Sequence, residues 1–168
     1  MPKGLKETSS IIAIGASVTE SAANTFTSQR VDLQLNPLDN EVFVVYAVDL
    51  DCLEPVLVPG ATTNIKSSIS TTARTSVGSL STSNVLATNR IEIQSAGGEA
   101  IRGSFSSDSA PGTQLDYLAI ISTNDFFVNI EGANNTLART ATCRVYGVRA
   151  RADASVYAAL VQSELLSA

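Results

Sequence analysis

From Arg30 to about Ala150 the chain runs in short stretches where apolar and polar residues alternate, separated by clusters of Pro, Gly, Asn, Asp and Ser. A period of two places alternate side chains on opposite faces of an extended chain, so the pattern predicts about eight β-strands joined by turns. Arg30–Leu35 shows it most simply, with Val31, Leu33 and Leu35 on one face, and Asn36-Pro37-Leu38-Asp39-Asn40 follows as a dense turn signal. Glu41–Asp51 is apolar on both faces at its start and resolves beyond Ala47 into Val48 and Leu50 against Asp49 and Asp51. That is the signature of a central strand.

Pro55 and Pro59-Gly60 precede a strand within 62–72, where Ile65, Ser67 and Ile69 alternate with Asn64, Lys66 and Ser68. Residues 71–88 are rich in Ser and Thr and are read as one strand with a long loop. Arg90–Gln94 alternates again, Gly97-Gly98 turns, and Ile101, Gly103 and Phe105 mark a short strand. Leu115–Ser122, Phe126–Glu131 and Arg139–Arg151 complete the set. In the last of these the apolar phase changes around Gly147, with Cys143 and Val145 on one parity and Val148 and Ala150 on the other, which predicts a β-bulge at the glycine. Asp153 then caps a predicted helix over 154–166, whose Val156, Tyr157, Leu160, Val161 and Leu165 form one apolar stripe. Residues 1–23 are Ser-, Thr- and Ala-rich with one apolar patch, Ile11, Ile12 and Ile14, and are read as an N-terminal arm. The sandwich domain is assigned to 24–168.

The composition sharpens this picture. The 168 residues suit one domain with a real core. Hydrophobic residues make up 44% of the chain, with 5 Phe, 4 Tyr and no Trp, so aliphatic side chains must fill the interior. Charged residues make up only 16%, and a surface of hydroxyls is cheaper to desolvate against a neighbour than one of ions. The formal net charge of -5 argues against a protein whose main task is gripping phosphates. Ile11–Ala16 is far shorter than the roughly 18 apolar residues of a membrane helix and follows no basic cluster, so neither a transmembrane segment nor a cleaved signal is expected. Asn134-Asn135-Thr136 is then a turn rather than a glycosylation site.

Chemistry is sparse. Without histidine the chain lacks the commonest general base and metal ligand, and neither phosphate-loop pattern occurs. Lys66 beside Ser67 and Ser68 is a coincidence of adjacent strand positions that face opposite ways. Asp49 and Asp51 share a face about 7 Å apart, within the spacing of inverting glycosidase pairs, but no aromatic sugar platform accompanies them, and they read as a solvated strand end. Cys52 and Cys143 lie in apolar runs and read as buried thiols, with a disulfide between them left open. No catalytic residue, cofactor or metal site is expected. Arg139, Arg144, Arg149 and Arg151 concentrate in the last strand, either as a stripe for an anionic partner or as local partners of the more numerous acids.

About eight strands, turns at short intervals, an N-terminal arm and no active-site chemistry resemble the single jelly-roll coat proteins of icosahedral viruses. The stretch from Asn36 to Asp51, NPLDNEVFVVYAVDLD, looks like a long core strand of such a protein. The resemblance implies an eight-stranded antiparallel sandwich, many copies in a closed shell, assembly in the host cytoplasm, and an arm that reaches across interfaces. Ile11, Ile12, Ile14, Leu160 and Leu165 are the expected interface residues. The arm lacks the basic charge of small RNA-virus coat proteins, so nucleic-acid contact is expected to be weak or indirect, with other virion proteins, an internal membrane or polyamines compensating the contents. A phage decoration or tail structural protein and a carbohydrate-binding sandwich are the rival readings, and strand order, jelly roll or immunoglobulin, stays open.

Overall fold

The computed structural model describes residues 1–112 and 114–166; Thr113 and the last two residues of the expected 24–168 domain lie outside the described residues. Among the described residues ten strands form two antiparallel sheets: β1 (Leu5–Glu7), β2 (Ile12–Thr19), β3 (Thr27–Asp32), β4 (Glu41–Cys52), β5 (Thr62–Ser70), β6 (Val85–Ala96), β7 (Glu99–Ser106), β8 (Ala119–Ile121), β9 (Asp125–Ala133) and β10 (Thr140–Ala152). One sheet has the order β2-β10-β4-β8, with β1 on the same edge of β10 as β2, and the other has the order β3-β9-β5-β6-β7. Apart from β1–β2 and the consecutive β5–β6–β7, chain-adjacent strands alternate between sheets, and β2-β10-β4-β8 facing β3-β9-β5-β6 is the jelly-roll order. The strand order thus selects the jelly roll over the immunoglobulin arrangement. β7 is an addition to it, hairpinned onto β6.

The N-terminal stretch is not an arm outside the sandwich. β2 pairs with β10 along its whole length and sends Ile14, Ala16 and Val18 to the core, while Ala13, Gly15, Ser17 and Thr19 face outward. Its outward positions are so small and polar that the alternation is easily missed. Elsewhere the boundaries move: 71–84 holds no strand, and Leu115–Ser122 shrinks to the three residues of β8. Leu33 and Leu35 lie beyond β3 yet are buried, their backbone amides held by the Asn124 carbonyl and the Asn124 side chain.

The phase change in β10 has a different cause from the predicted one. Ala141, Cys143 and Val145 face the inter-sheet core with Ile65, Ile69, Phe126 and Val128, whereas Val148, Ala150 and Ala152 belong to a second cluster on the outer face. No residue is inserted in β10. The extra residue is Tyr46 on β4: Tyr146 pairs with Ala47 and Gly147 with Val45. Consequently β4 is the strand whose inward parity flips, from Phe43 and Val45 to Val48 and Cys52. Gly147 remains essential, because a Cβ there would meet the Val44 carbonyl at 2.3 Å and the Phe43 ring at 2.7 Å.

The second cluster is roofed by α1 (Ala154–Leu166), which brings Val156, Tyr157 and Leu160 onto Val42, Val44, Val148 and Ala150. Asp153 precedes it, its carbonyl accepting from the Tyr157 amide and its own amide donating to the Gly4 carbonyl. The predicted stripe fails at its last turn, where Leu165 is exposed and Glu164 turns inward instead. The reason lies in the β8–β9 turn, whose donors need an acceptor. Both backbone amides and both hydroxyls of Ser122 and Thr123 donate to the Glu164 carboxylate, at 2.5–3.1 Å.

Two outcomes follow from this packing. Glu164→Ala takes the acceptor from the buried Ser122 amide and hydroxyl and from the Thr123 amide, while the Thr123 hydroxyl keeps the Thr71 and Asp125 carbonyls, and should cost on the order of 2–4 kcal/mol in urea unfolding, with Glu164→Gln costing less; equal stability of all three chains would remove the anchor. Cys52 and Cys143 are free and buried, and burial pushes both thiols up to about 11. The folded chain therefore keeps protons that the unfolded chain releases, and stability should fall as pH rises from about 9 towards 11. The Cys52→Ala, Cys143→Ala double variant should show a flatter decline over that window.

Candidate assembly surfaces

Three loops meet at one end of the sandwich, and a buried polar knot fixes them. Glu20, which closes β2, is 3% exposed, and its carboxylate accepts from the backbone amides of Thr25, Gly132 and Arg139. Asn135 receives the Val56 amide on its side-chain oxygen, donates to the Asn64 carbonyl, and gives its own backbone amide to the Asn24 side chain. Asn24 in turn donates to the Asn135 carbonyl. Gly132 has to be a glycine here, since a Cβ would lie 2.7 Å from the Asn135 amide and 2.9 Å from Ile65. Asn134 takes a left-handed conformation, φ 59°, as the turn reading of the sequon requires. The knot holds the 53–61 loop against the 134–139 turn, and the Arg139 side chain adds a 2.7 Å bond to the Glu54 carbonyl. Leu53, Leu57 and Leu137 project from these two segments, each more than half exposed.

The structure divides the five expected interface residues. Ile14 packs on the inter-sheet core, Ile12 is half-buried in β2, and Leu160 packs from α1 onto the outer cluster. Ile11 is 67% exposed and Leu165 63% exposed. Strand alternation separates Ile11 from Ile12 and Ile14, so the three do not form one patch.

The four arginines are not a free stripe either. Arg149 donates to the Leu33 and Gln34 carbonyls and pairs with Glu41 at 3.1 Å, closing the end of the sandwich opposite the Glu20 knot. Arg151 pairs with Asp39 at 3.0 Å, and Arg139 is bonded to Glu54 as described. Arg144 faces outward across the strand pair from Asp49, with Asp51 opposite Thr142 in the next row. Asp49, Asp51, Thr142 and Arg144 line one hollow of about 280 Å³, so a cation stands beside the acid pair. Lys66 and Ser67 face opposite ways as expected: Ser67 is buried against the Cys52 sulfur at 2.9 Å. Among the described residues no cluster of three or more His, Cys, Asp or Glu has the arrangement of a metal site.

A hollow of about 490 Å³ lies on the outer face of the second sheet between the 71–84 loop and β7. Lys66 and Arg90 are cross-strand neighbours on its floor, and Arg90 sits 5.7 Å from the centre of the Phe105 ring. Arg90 also pairs with Glu92, whose carboxyl is held below its ordinary value by hydrogen bonds from Gln94 and Arg90. With Arg90 paired to Glu92, the hollow is a partly neutralised surface groove.

The sequence reading missed Leu53, Leu57, Leu137 and the two buried carboxylates. A signal existed for the leucines: each sits inside a turn-rich segment, CLEPVLVPG or NNTLART, where no strand or helix offers a core face. None existed for Glu20 and Glu164, because their partners are mainly backbone amides brought close only by the fold.

No family model and no curated protein matches this chain. Among solved structures it is similar to a chain of Desmodium yellow mottle tymovirus, with 12% identity, a TM-score of 0.36, and coverage of 92% of this chain and 96% of that one. The jelly-roll assignment rests on the strand order itself.

Proposed function

We propose that this chain is a structural coat subunit that self-assembles in many copies into a virus shell, and that its role is not catalytic. The observation that carries the reading is the end of the sandwich where Leu53, Leu57 and Leu137 stand exposed on loops locked by Glu20 and Asn135. Hydrogen bonds centred on the buried Glu20 and Asn135 hold the loops that carry the leucines in place. A rigid apolar end is what a neighbouring subunit needs, because association then costs little further ordering. Low overall charge supports the same reading, as does the exposure of Ile11 and Leu165 at two other parts of the surface.

Genome contact in this reading is indirect. The chain is acidic, and three of the four clustered arginines are bonded within it, which leaves Arg144 as the candidate for an anionic partner. The contents are then neutralised by polyamines, an internal membrane or another virion protein. No helix among the described residues is long and apolar enough to cross a membrane.

Light scattering and electron microscopy of the purified full chain should show large closed particles. Replacing Leu53, Leu57 and Leu137 together with Asp should reduce particle yield at least tenfold while leaving the melting temperature within about 3 °C, since exposed side chains contribute little to folding. A chain that stays monomeric at high concentration across salt and pH would refute the reading.

A further inference from the structure

β7 is ordered without being buried. Seven of its eight residues are exposed, with only Gly103 half-buried, and no strand lies beyond it in the sheet among the described residues. Gly97 and Gly98, φ 61° and 85°, make the two-residue turn that joins it to β6, and such a turn makes Ala96 and Glu99 the first hydrogen-bonded pair. Odd-numbered residues of β7 therefore direct their backbone groups to β6, as the bond from the Ser107 amide to the Thr88 carbonyl confirms. The amides and carbonyls of Ala100, Arg102, Ser104 and Ser106 point the other way, at an open edge.

Natural edge strands are protected by proline, lysine, a bulge or brevity. β8 is only three residues long, and β3 carries Arg30 paired with Asp125. β7 has no proline, lysine or bulge, and its Arg102 is engaged by Glu54 of the same chain at 2.9 Å. Its side chains are instead symmetric about Gly103. Ile101 and Phe105, 69% and 61% exposed, lie on one face at equal distances from the glycine, and the Phe105 ring leans over it.

We infer that β7 is the contact for a second copy of this chain, the two β7 strands pairing antiparallel about a two-fold axis through Gly103. In that register Ile101 of each copy lies opposite Phe105 of the other, Arg102 opposite Ser104, and Ala100 opposite Ser106. The last two are the hydrogen-bonded pairs, so the outward amides and carbonyls of all four residues are satisfied. Ile101 with Phe105 is an aromatic and β-branched pair in the closer, non-hydrogen-bonded position, a favourable cross-strand combination. The neighbouring registers lose this match. A centre at Arg102 sets two guanidinium groups opposite each other and Ile101 opposite glycine. A centre at Ser104 sets Phe105 opposite glycine. Of these three registers only the Gly103 one pairs apolar with apolar while opposing no charge to a like charge; centres at Ile101 or Phe105 also match apolar residues but pair less of β7, and the Gly103 register continues the second sheet across the axis.

This inference deepens the assembly reading by naming one contact, and its test separates the two. Full-length Gly103→Cys and Arg102→Cys chains are exposed to a mild thiol oxidant and resolved on non-reducing gels, with the linked peptide identified by mass spectrometry. The native thiols are buried and poorly ionised, so they contribute little background. Gly103→Cys should give at least ten times more covalent dimer than Arg102→Cys, linked through position 103 of both chains. Equal or greater linking by Arg102→Cys, or no link at 103, overturns the register. A Cβ at 103 would approach the Phe105 ring to 3.2 Å, so a second variant guards against local distortion. Phe105→Asp should weaken dimerisation at least tenfold with an unchanged melting temperature, and unchanged dimerisation overturns the contact. Linked pairs without particles keep this interface and remove the shell; particles in which 103 does not link do the reverse.

Discussion

The pairing of β4 with β10 is the constraint on which the other elements depend. These two strands form the middle of the first sheet, and over the segment from Val42 to Val45 facing Gly147 to Ala150 most positions on both faces are buried. A strand pair with no solvent face must be covered twice, once by the opposite sheet and once by something else. The opposite sheet supplies Ile65, Ile69, Phe126 and Val128, and α1 supplies the second cover with Val156, Tyr157 and Leu160. The Tyr46 bulge reconciles the two demands. By flipping the parity of β4 it lets Val42 and Val44 serve the helix side while Val48 and Cys52 still serve the core. Gly147, with the Phe43 ring against it, makes room for that flip.

A second constraint comes from charge. The two most deeply placed carboxylates, Glu20 and Glu164, accept from backbone amides and hydroxyls and form no ion pair among the described residues. A carboxylate bonded by several oriented donors is stabilised without a cation, which suits a chain with few lysines and with arginines committed elsewhere. Each one also fixes a turn that the sheets alone would leave loose. Glu20 holds the start of the β2–β3 loop to β9 and the β9–β10 turn, and Glu164 holds the helix to the β8–β9 turn. The two ends of the sandwich are thus tied by different acids, and the loops displayed between them keep a defined shape.

How much of this was legible in the sequence depends on where each signal arises. Strand alternation is a local property, and it located β4, β5, β9 and β10 closely because apolar residues recur at every second position along much of each. β2 escaped because Gly15, Ser17 and Thr19 dilute the pattern, and an edge strand needs little hydrophobicity on its outer face. The Gly147 phase change was visible, but its cause was not. An inserted residue and a change in which face is covered leave the same trace in one strand, and only the partner strand's register tells them apart. Leu165 and Glu164 exchanged places for a similar reason: helical periodicity places both near the stripe, and the choice is made by the Ser122–Thr123 donors from a distant part of the chain.

On the surface, neighbours in sequence are separated by the fold, and for three of the clustered arginines bonding within the chain is what the structure shows. Ile11, Ile12 and Ile14 are close along the chain but split by the pleat, and Arg139, Arg149 and Arg151 are near one another in sequence but reach Glu54, Glu41 and Asp39 in three directions. What the fold leaves outside is apolar groups that no element of the same chain covers: Leu53, Leu57 and Leu137 at the knotted end, and Ile101 and Phe105 on an edge strand. Each is held by rigid hydrogen-bonded structure, either the Asn135 network or the β6–β7 hairpin, so its exposure is not relieved by local collapse. Apolar surface that a chain orders but does not bury is left to be buried by another molecule, and the backbone edge of β7 adds the directional bonds that make a second copy of the same strand a fitting partner.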